Sequence, residues 1–330
     1  MNRFDPYLAA SACVLCASRD GTLVATTDRH GARLPVICCA VCGLAHVDPI
    51  PSQQELAHFY AERYRKEYKQ ATTPRLKHVY RAGRVAIERM RNVALLAQPP
   101  ARVLECGAGG GEFSYLLASR GYQLIGIEPN DGYREYARSE YGVDLRPGTL
   151  DDVSFADAEF DLVTIFHVLE HLCDPRDGLA RLSRWLRPGG HLYVEVPNAL
   201  TAVSSPSNLY HRAHLYYFAA RPLVALAATA GLMPVLLDGG ASRANLTAIF
   251  RKADAIEAST PVNAHDEVVD ANRRRTLGRY LCSGRTLSQL AARLWQRRVE
   301  SKIERSATRG REVLDALYRS EAPQTGRGLS

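Results

Sequence analysis

Between Arg102 and Asn130 the chain reads RVLECGAGGGEFSYLLASRGYQLIGIEPN, and no other stretch restricts its possible folds as far. Val103 and Leu104 are strand formers leading into Gly107, Gly109, Gly110 and Gly111. Phe113, Leu116 and Leu117 then recur at helical spacing, and Gly121 stops that helix. A second apolar run, Leu124 to Ile127, ends at Glu128. Strand, glycine turn, helix, strand and acid in this order predict the first half of a nucleotide-binding βαβ unit.

The turn is a poor match to a dinucleotide site. In a G-x-G-x-x-G pattern Gly107 and Gly109 take the first two places, but Glu112 takes the third. The glycines follow Gly107-x-Gly109-x-Gly111 instead, with Glu105 two residues ahead. A carboxylate there repels a pyrophosphate and suits a cation, such as a sulfonium that also carries an amino group. Glu128, ending the second strand, is placed to accept hydrogen bonds from a ribose diol. An ordinary βα turn and a nicotinamide site are the competing readings. Taken together, E-x-G-x-G-x-G and the following acid resemble the S-adenosylmethionine (SAM) site of the class I methyltransferases.

The later elements extend that resemblance. Phe160 to Phe166 reads as a buried strand, Pro175 to Leu186 as a helix, and HLYVEVP, after Pro188-Gly189-Gly190, as the next strand. PVLLD and NLTAIFRK close the domain as two adjacent strands. Alternating strands and helices predict a doubly wound α/β sheet. The runs FDLVTIFHVLEHLCDP, LRPGGHLYVEVPN and AHLYYF are similar to segments of the same family, over about residues 100 to 250. The resemblance implies a Rossmann-like seven-stranded sheet, with Glu105, Gly107, Gly109 and Gly111 at the methionine end of SAM and Glu128 at its ribose. Where the family often has an acid against adenine, this chain has Thr149, Leu150, Asp151 and Asp152. Leu150 is the expected contact there, through backbone and packing.

Ahead of this domain, Cys13-Val-Leu-Cys16 and Cys39-Ala-Val-Cys42 are separated by 22 residues. Two such knuckles suit a tetrahedral zinc site of four thiolates, with a redox pair as the alternative. Cys38 is an odd thiol that could replace Cys39. Gly21 to Thr27 and Leu34 to Ile37 would form a hairpin between the knuckles, giving a zinc-ribbon-like segment. With four thiolates bound, such a zinc has no open position and serves structure. The cysteine pairs, with CGLAHVDPIP and the tyrosines Tyr60, Tyr64 and Tyr68, resemble a zinc-carrying subgroup. That subgroup includes sugar C-methyltransferases and methyltransferases of polysaccharide and natural-product pathways. The tyrosines share one helical face, which is either packing or a lid.

Chemistry on the acceptor side is expected from two places. His167, Glu170 and His171 follow the strand that ends at Phe166. They could contact SAM or acceptor and brace the loop, or bind a metal. In similar quinone-biosynthesis O-methyltransferases a Glu-rich version of this segment holds a divalent ion; here His167 stands for its first Glu. The second place is Glu195 to Phe218, with Glu195, Asn198, His211 and His214. Attack by an alcohol benefits from a general base, and imidazole is suited. His211 and His214, with Glu195, are therefore the catalytic candidates, and a structural hydrogen-bonding role is the competing reading for each histidine. Sugar C-methyltransferases carry Y-H-E-H at this place; Tyr210-His211-Arg212-Ala213-His214 is one residue longer and lacks the Glu. The resemblance thus implies SAM-dependent O-methylation of a sugar, glycan or natural-product hydroxyl. Its alternatives are C-methylation of a nucleotide-linked keto sugar and a SAM-fold binding or scaffold protein.

Three regions follow: a zinc-ribbon-like segment with a linker helix over 1–60, a methyltransferase domain over 74–252, and a basic helical extension over 253–330. Residues 253–270 read as a linker or loose helix. The net charge is +7, yet the residues from Ala271 onward hold fourteen Lys or Arg against five Asp or Glu. The basic character therefore belongs to the extension, and nothing in it resembles a nucleic-acid module. It is a candidate for packing on its own domain, or for contact with an anionic membrane, a nucleotide-bearing substrate or an acidic partner. No apolar run reaches the ~18 residues of a transmembrane helix, and the N-terminus lacks a signal-peptide core, so the expected location is the cytoplasm.

Overall fold

The computed structural model describes residues 5–59, 73–203, 208–253, 263–276, 278 and 285–320. The tyrosine stripe at Tyr60, Tyr64 and Tyr68 lies outside them. The chain divides into two units, one of Met1–Tyr64 with Ser154–Gln289 and one of Arg65–Val153 with Leu290–Ser330.

In the first unit, strands β1 (Pro6–Leu8), β2 (Asp20–Thr27), β3 (Arg33–Cys39) and β4 (Ala45–Val47) form an antiparallel sheet. The expected hairpin is present as β2 and β3, with Leu23 opposite Ile37. The sheet is not self-contained, however. Its fifth strand, β10 (Tyr216–Tyr217), comes from the middle of the later domain and pairs with β4, Tyr216 opposite His46. Helix α1 (Gln53–Phe59) starts at a capping box: Glu55 accepts from the Ser52 amide and hydroxyl, and Ser52 accepts from the Glu55 amide.

The same unit holds β8 (Phe160–Phe166), β9 (Leu186–Pro197), β11 (Leu232–Asp238) and β12 (Asn245–Lys252). β8 and β9 are parallel, and β12 runs antiparallel to both β9 and β11. Asp174 caps α5 (Pro175–Trp185) by accepting from the Arg176 and Asp177 amides, and α6 (Ala220–Ala228) precedes β11. The region read as a linker or loose helix contains, from His265, a packed helix, α7 (His265–Arg274), with Val268, Val269 and Asn272 buried. Its apolar face is only two valines wide, too narrow for periodicity to reveal.

The second unit contains parallel strands β5 (Arg102–Cys106), β6 (Gln123–Glu128) and β7 (Leu145–Pro147). Helix α2 (Leu76–Leu96) precedes β5, α3 (Glu112–Ser119) follows it, and α4 (Asp131–Tyr136) runs into a π turn over Ala137–Tyr141. Helix α8 (Arg285–Ser306) enters this unit, and α9 (Gly310–Ser320) ends it. Tyr318 of α9 donates its hydroxyl to the Glu112 carbonyl at 2.8 Å. The seven strands make one mixed sheet in the order β11-β12-β9-β8-β5-β6-β7, a Rossmann-like arrangement.

Candidate active site

In the second unit the glycine turn is built from backbone that L side chains rarely adopt. Gly107, Gly109 and Gly111 all have positive φ, at 76°, 56° and 83°. A Cβ placed on Gly109 would meet nothing within 4 Å, whereas one on Gly111 would lie 2.8 Å from the Ala137 Cβ. Gly109 therefore keeps open space above the turn, and Gly111 permits close packing beneath it. Glu128 ties the turn to the end of β6: one carboxylate oxygen accepts from the Gly109 amide and the other from the Asn130 amide, both at 2.9 Å. Each oxygen retains a second lone-pair direction for a ribose hydroxyl. Burial raises the Glu128 carboxyl pKa, and the two amides oppose that rise.

Glu105 lies buried in β5 and accepts from the Ser114 hydroxyl. Burial pushes its carboxyl up to about 7. Glu112, at the place of a third dinucleotide glycine, is likewise buried and pushed up to about 7. A cation arriving beside Glu105 would restore its ionised form. Leu150 is buried, while Asp152 turns back to the Thr149 amide and hydroxyl. Glu105, the three glycines and Glu128 thus fit the amino end and ribose of SAM.

The histidines converge in the first unit. His167 leaves β8 with φ of 55°, a sparsely populated backbone for a residue with a side chain. Its Nδ1 lies 3.5 Å from the Glu170 carboxylate, and its Nε2 lies 3.4 Å from the Asn245 amide. Glu170 is fully buried with neither carboxylate oxygen hydrogen-bonded. Burial pushes this carboxyl up, but His167, His171 and His214 together bring it below the ordinary range. His171 Nδ1 bonds the Ala213 carbonyl at 2.7 Å, which orients its Nε2 toward Glu170. The His214 ring packs edge-on against His171, with centroids 4.9 Å apart, and lies 5.0 Å from His211. Burial, reinforced by His171, drives His214 down to about 3, so it is a neutral imidazole.

His211 is held differently. Its Nδ1 accepts from the Ala213 amide at 3.1 Å, and its own amide donates to the Tyr217 hydroxyl. Glu195 is buried on β9 and accepts from the Tyr193 hydroxyl at 3.2 Å. His167, Glu170, His171, His211 and His214 are therefore one cluster. Glu170, His171 and His214 offer donor atoms within 4.8 Å of one another, so metal binding and loop bracing both remain compatible with it.

Arg275 carries a role that sequence reasoning missed. This buried residue just after α7 donates to the Ala199 and Thr201 carbonyls and to Asn272. Asn272 in turn accepts from the Tyr210 hydroxyl. The residue thereby ties both stems of the segment that leads to His211. Within an arginine-rich run nothing in the sequence distinguishes it.

The cysteines also converge: the sulfurs of Cys13, Cys16, Cys39 and Cys42 all lie within 4.8 Å of one another. Cys13 and Cys42 are 3.5 Å apart, and Cys16 and Cys39 are 3.4 Å apart. A tetrahedral ion with bonds of about 2.3 Å to sulfur fits such a set. Hydrogen bonds from Cys13 and Cys42 hold the Cys39 thiol far below its ordinary pKa. Cys38 stands outside the cluster, donating toward the Gly43 carbonyl.

Residues 77–237 match the family model described as a methyltransferase domain. A probable S-adenosylmethionine-dependent methyltransferase of Mycolicibacterium smegmatis is 35% identical over 133 residues, covering 39% of this chain and 51% of that protein. A ubiquinone biosynthesis O-methyltransferase of Hahella chejuensis is 37% identical over 108 residues, covering 31% of this chain and 45% of that protein. The match thus spans about half the length of these relatives. Among solved structures, 1,6-didemethyltoxoflavin-N1-methyltransferase of Burkholderia thailandensis, with bound 1,6-didemethyltoxoflavin and S-adenosylhomocysteine, is similar in fold. Its TM-score is 0.50 at 24% identity, covering 64% of this chain and 95% of that one. Fold, glycine turn and family match point the same way: residues 77–237 are similar to a methyltransferase domain and carry a Rossmann-like fold shared with a solved methyltransferase.

Proposed function

We propose that the protein transfers the SAM methyl group to a hydroxyl of a small molecule, a sugar, glycan or natural product, in the cytoplasm. The observation that carries the donor half is the positive-φ glycine turn tied down by Glu128. In this reading Glu105, Gly107, Gly109, Gly111, Glu128 and Leu150 bind SAM, with His167 as a further contact. The sulfonium already activates the methyl, so the protein's work is alignment and proton removal. His214, neutral and half-buried, takes the hydroxyl proton as the new C–O bond forms. The charge it gains is met by Glu170, whose carboxylate has no other hydrogen bond. His211 and Glu195 complete the acceptor side. The four cysteines bind one structural zinc, and a reducing compartment keeps their thiols available.

Calorimetry with SAM, followed by transfer of labelled methyl to a panel of hydroxylated acceptors, tests this reading. No SAM binding by zinc-loaded protein would leave a scaffold role. Label on carbon rather than oxygen would replace O-methylation with C-methylation. His214→Ala should abolish turnover while leaving SAM affinity intact, and unchanged turnover removes His214 from the mechanism.

A further inference from the structure

We propose that α8 presents a docking surface for an anionic lipid bilayer. One side of this helix is committed to its own unit. Glu300 is buried and receives Arg81 through two hydrogen bonds, at 2.6 and 2.7 Å. Ile303 lines an apolar groove with Tyr80, Val313 and Leu317. With about 3.6 residues per turn, Leu294, Trp295, Arg298, Lys302 and Arg305 fall together on another side. All five are exposed, Trp295 at 60% and Leu294 at 52%. No acidic residue interrupts that arc, and among the described residues no carboxylate pairs with Arg298, Lys302 or Arg305.

This combination is more specific than a solvated basic face. A solvated face has no use for an indole and a leucine, side by side and more than half exposed, at one end of a cationic stripe. At a bilayer surface each part has a partner. The indole and leucine enter the boundary between headgroups and acyl chains, and the cations meet anionic headgroups. The surface stands apart from the methyl-transfer reading, so either can fail without the other.

The test uses the full chain and vesicles of phosphatidylcholine with or without phosphatidylglycerol. The chain has two tryptophans, and Trp185 is already buried at 1% exposure, so a change in emission on binding reports Trp295. The expected result is sedimentation with phosphatidylglycerol vesicles, a blue shift of emission, and loss of both at high salt. Arg298→Glu with Lys302→Glu and Arg305→Glu should weaken partitioning by about 100-fold. Trp295→Ala should abolish the blue shift. These side chains are exposed, and an unchanged circular dichroism spectrum confirms that the variants fold. Unchanged emission with phosphatidylglycerol vesicles, equal binding to pure phosphatidylcholine, or indifference to charge reversal overturns the proposal. So does binding to an RNA duplex in place of vesicles.

Discussion

Glu128 accepts the Gly109 amide at 2.9 Å, so the acid assigned to the ribose is also the clasp of the glycine turn. Its second oxygen is equally engaged, by the Asn130 amide. Replacing it with glutamine puts an NH2 against one of two amide donors, whichever way the new side chain flips. Glu128→Gln should therefore weaken SAM binding by about 10- to 100-fold, the scale of a lost charge-assisted hydrogen bond. Calorimetry reads this directly. An unchanged dissociation constant would remove Glu128 from the SAM site.

Glu105 makes SAM binding dependent on pH. Burial lifts its carboxyl from 4.5 to about 7, a difference of roughly 3 kcal/mol between its protonation states. The folded value lies above the unfolded one. Its contribution to stability is thus fully present below 4.5 and is lost as pH rises through about 7. Glu112 titrates in the same window and in the same direction. The ammonium group of SAM requires the ionised carboxylate, so affinity should rise with pH through that window while the stability of the ligand-free protein falls. Calorimetry in buffers of different ionisation enthalpy should detect proton release on binding near pH ~6. Glu105→Gln should remove the release; a wild-type affinity that is flat with pH would reject the assignment.

The glycine turn was legible because its information is local. Strand β8 occupies the whole of FDLVTIF, since a continuous β-branched and aromatic run bounded by turn residues has few other uses. The acceptor-side cluster was only half legible. HVLEH named His167, Glu170 and His171, but nothing near them in sequence indicates that Ala213 orients His171, 42 residues away. Likewise β10 is two tyrosines long, and it acquires a strand's identity only by pairing with Ala45 and His46. Helix α9 left a signal in Val313, Leu314, Leu317 and Tyr318. Arginines interrupt that pattern, and Tyr318 reaches the Glu112 carbonyl. Nonlocal pairing hid β10 and the Ala213–His171 bond, whereas α7 and α9 were hidden by narrow or arginine-interrupted apolar faces.

Two neighbouring glycines should respond differently to alanine. At Gly109 the added Cβ meets nothing, so Gly109→Ala pays only the left-handed backbone cost, ~1–2 kcal/mol. At Gly111 the same strain is joined by a contact at 2.8 Å with Ala137. Gly111→Ala should therefore lower the unfolding midpoint in urea well beyond Gly109→Ala. The open space over Gly109 is where SAM would approach, so Gly109→Ala should lose SAM affinity while remaining folded. Equal destabilisation of both variants, with SAM binding kept in Gly109→Ala, contradicts this division of roles.

The cysteine cluster predicts one zinc per chain by elemental analysis. Cys39→Ser leaves three thiolates and should reduce zinc retention, with a loss of several kcal/mol of stability, since metal binding and folding are coupled there. Cys38→Ala is the control. Its thiol lies outside the cluster and burial keeps it protonated. Full zinc content in the Cys39 variant, or loss in the Cys38 variant, would mean that the ligand set is wrong.

Arg275 should be a costly single loss outside the catalytic residues. It donates to Ala199 at 2.8 Å and to Thr201 at 2.9 Å from one nitrogen, and to Asn272 at 2.7 Å from another. Arg275→Met fills much of the same space but leaves buried carbonyls unpaired, at about 1–3 kcal/mol for each group that water cannot reach. Arg275→Lys keeps the charge but not the planar fork and should recover only part of the loss. Hydrogen exchange should show faster amide exchange at Ala199 and at the amides flanking Tyr210, because both stems of that segment depend on this side chain. SAM affinity should not change, since the arginine touches none of the residues proposed to bind it. A methionine variant as stable as wild type, with the segment still protected, would show that other contacts hold the loop.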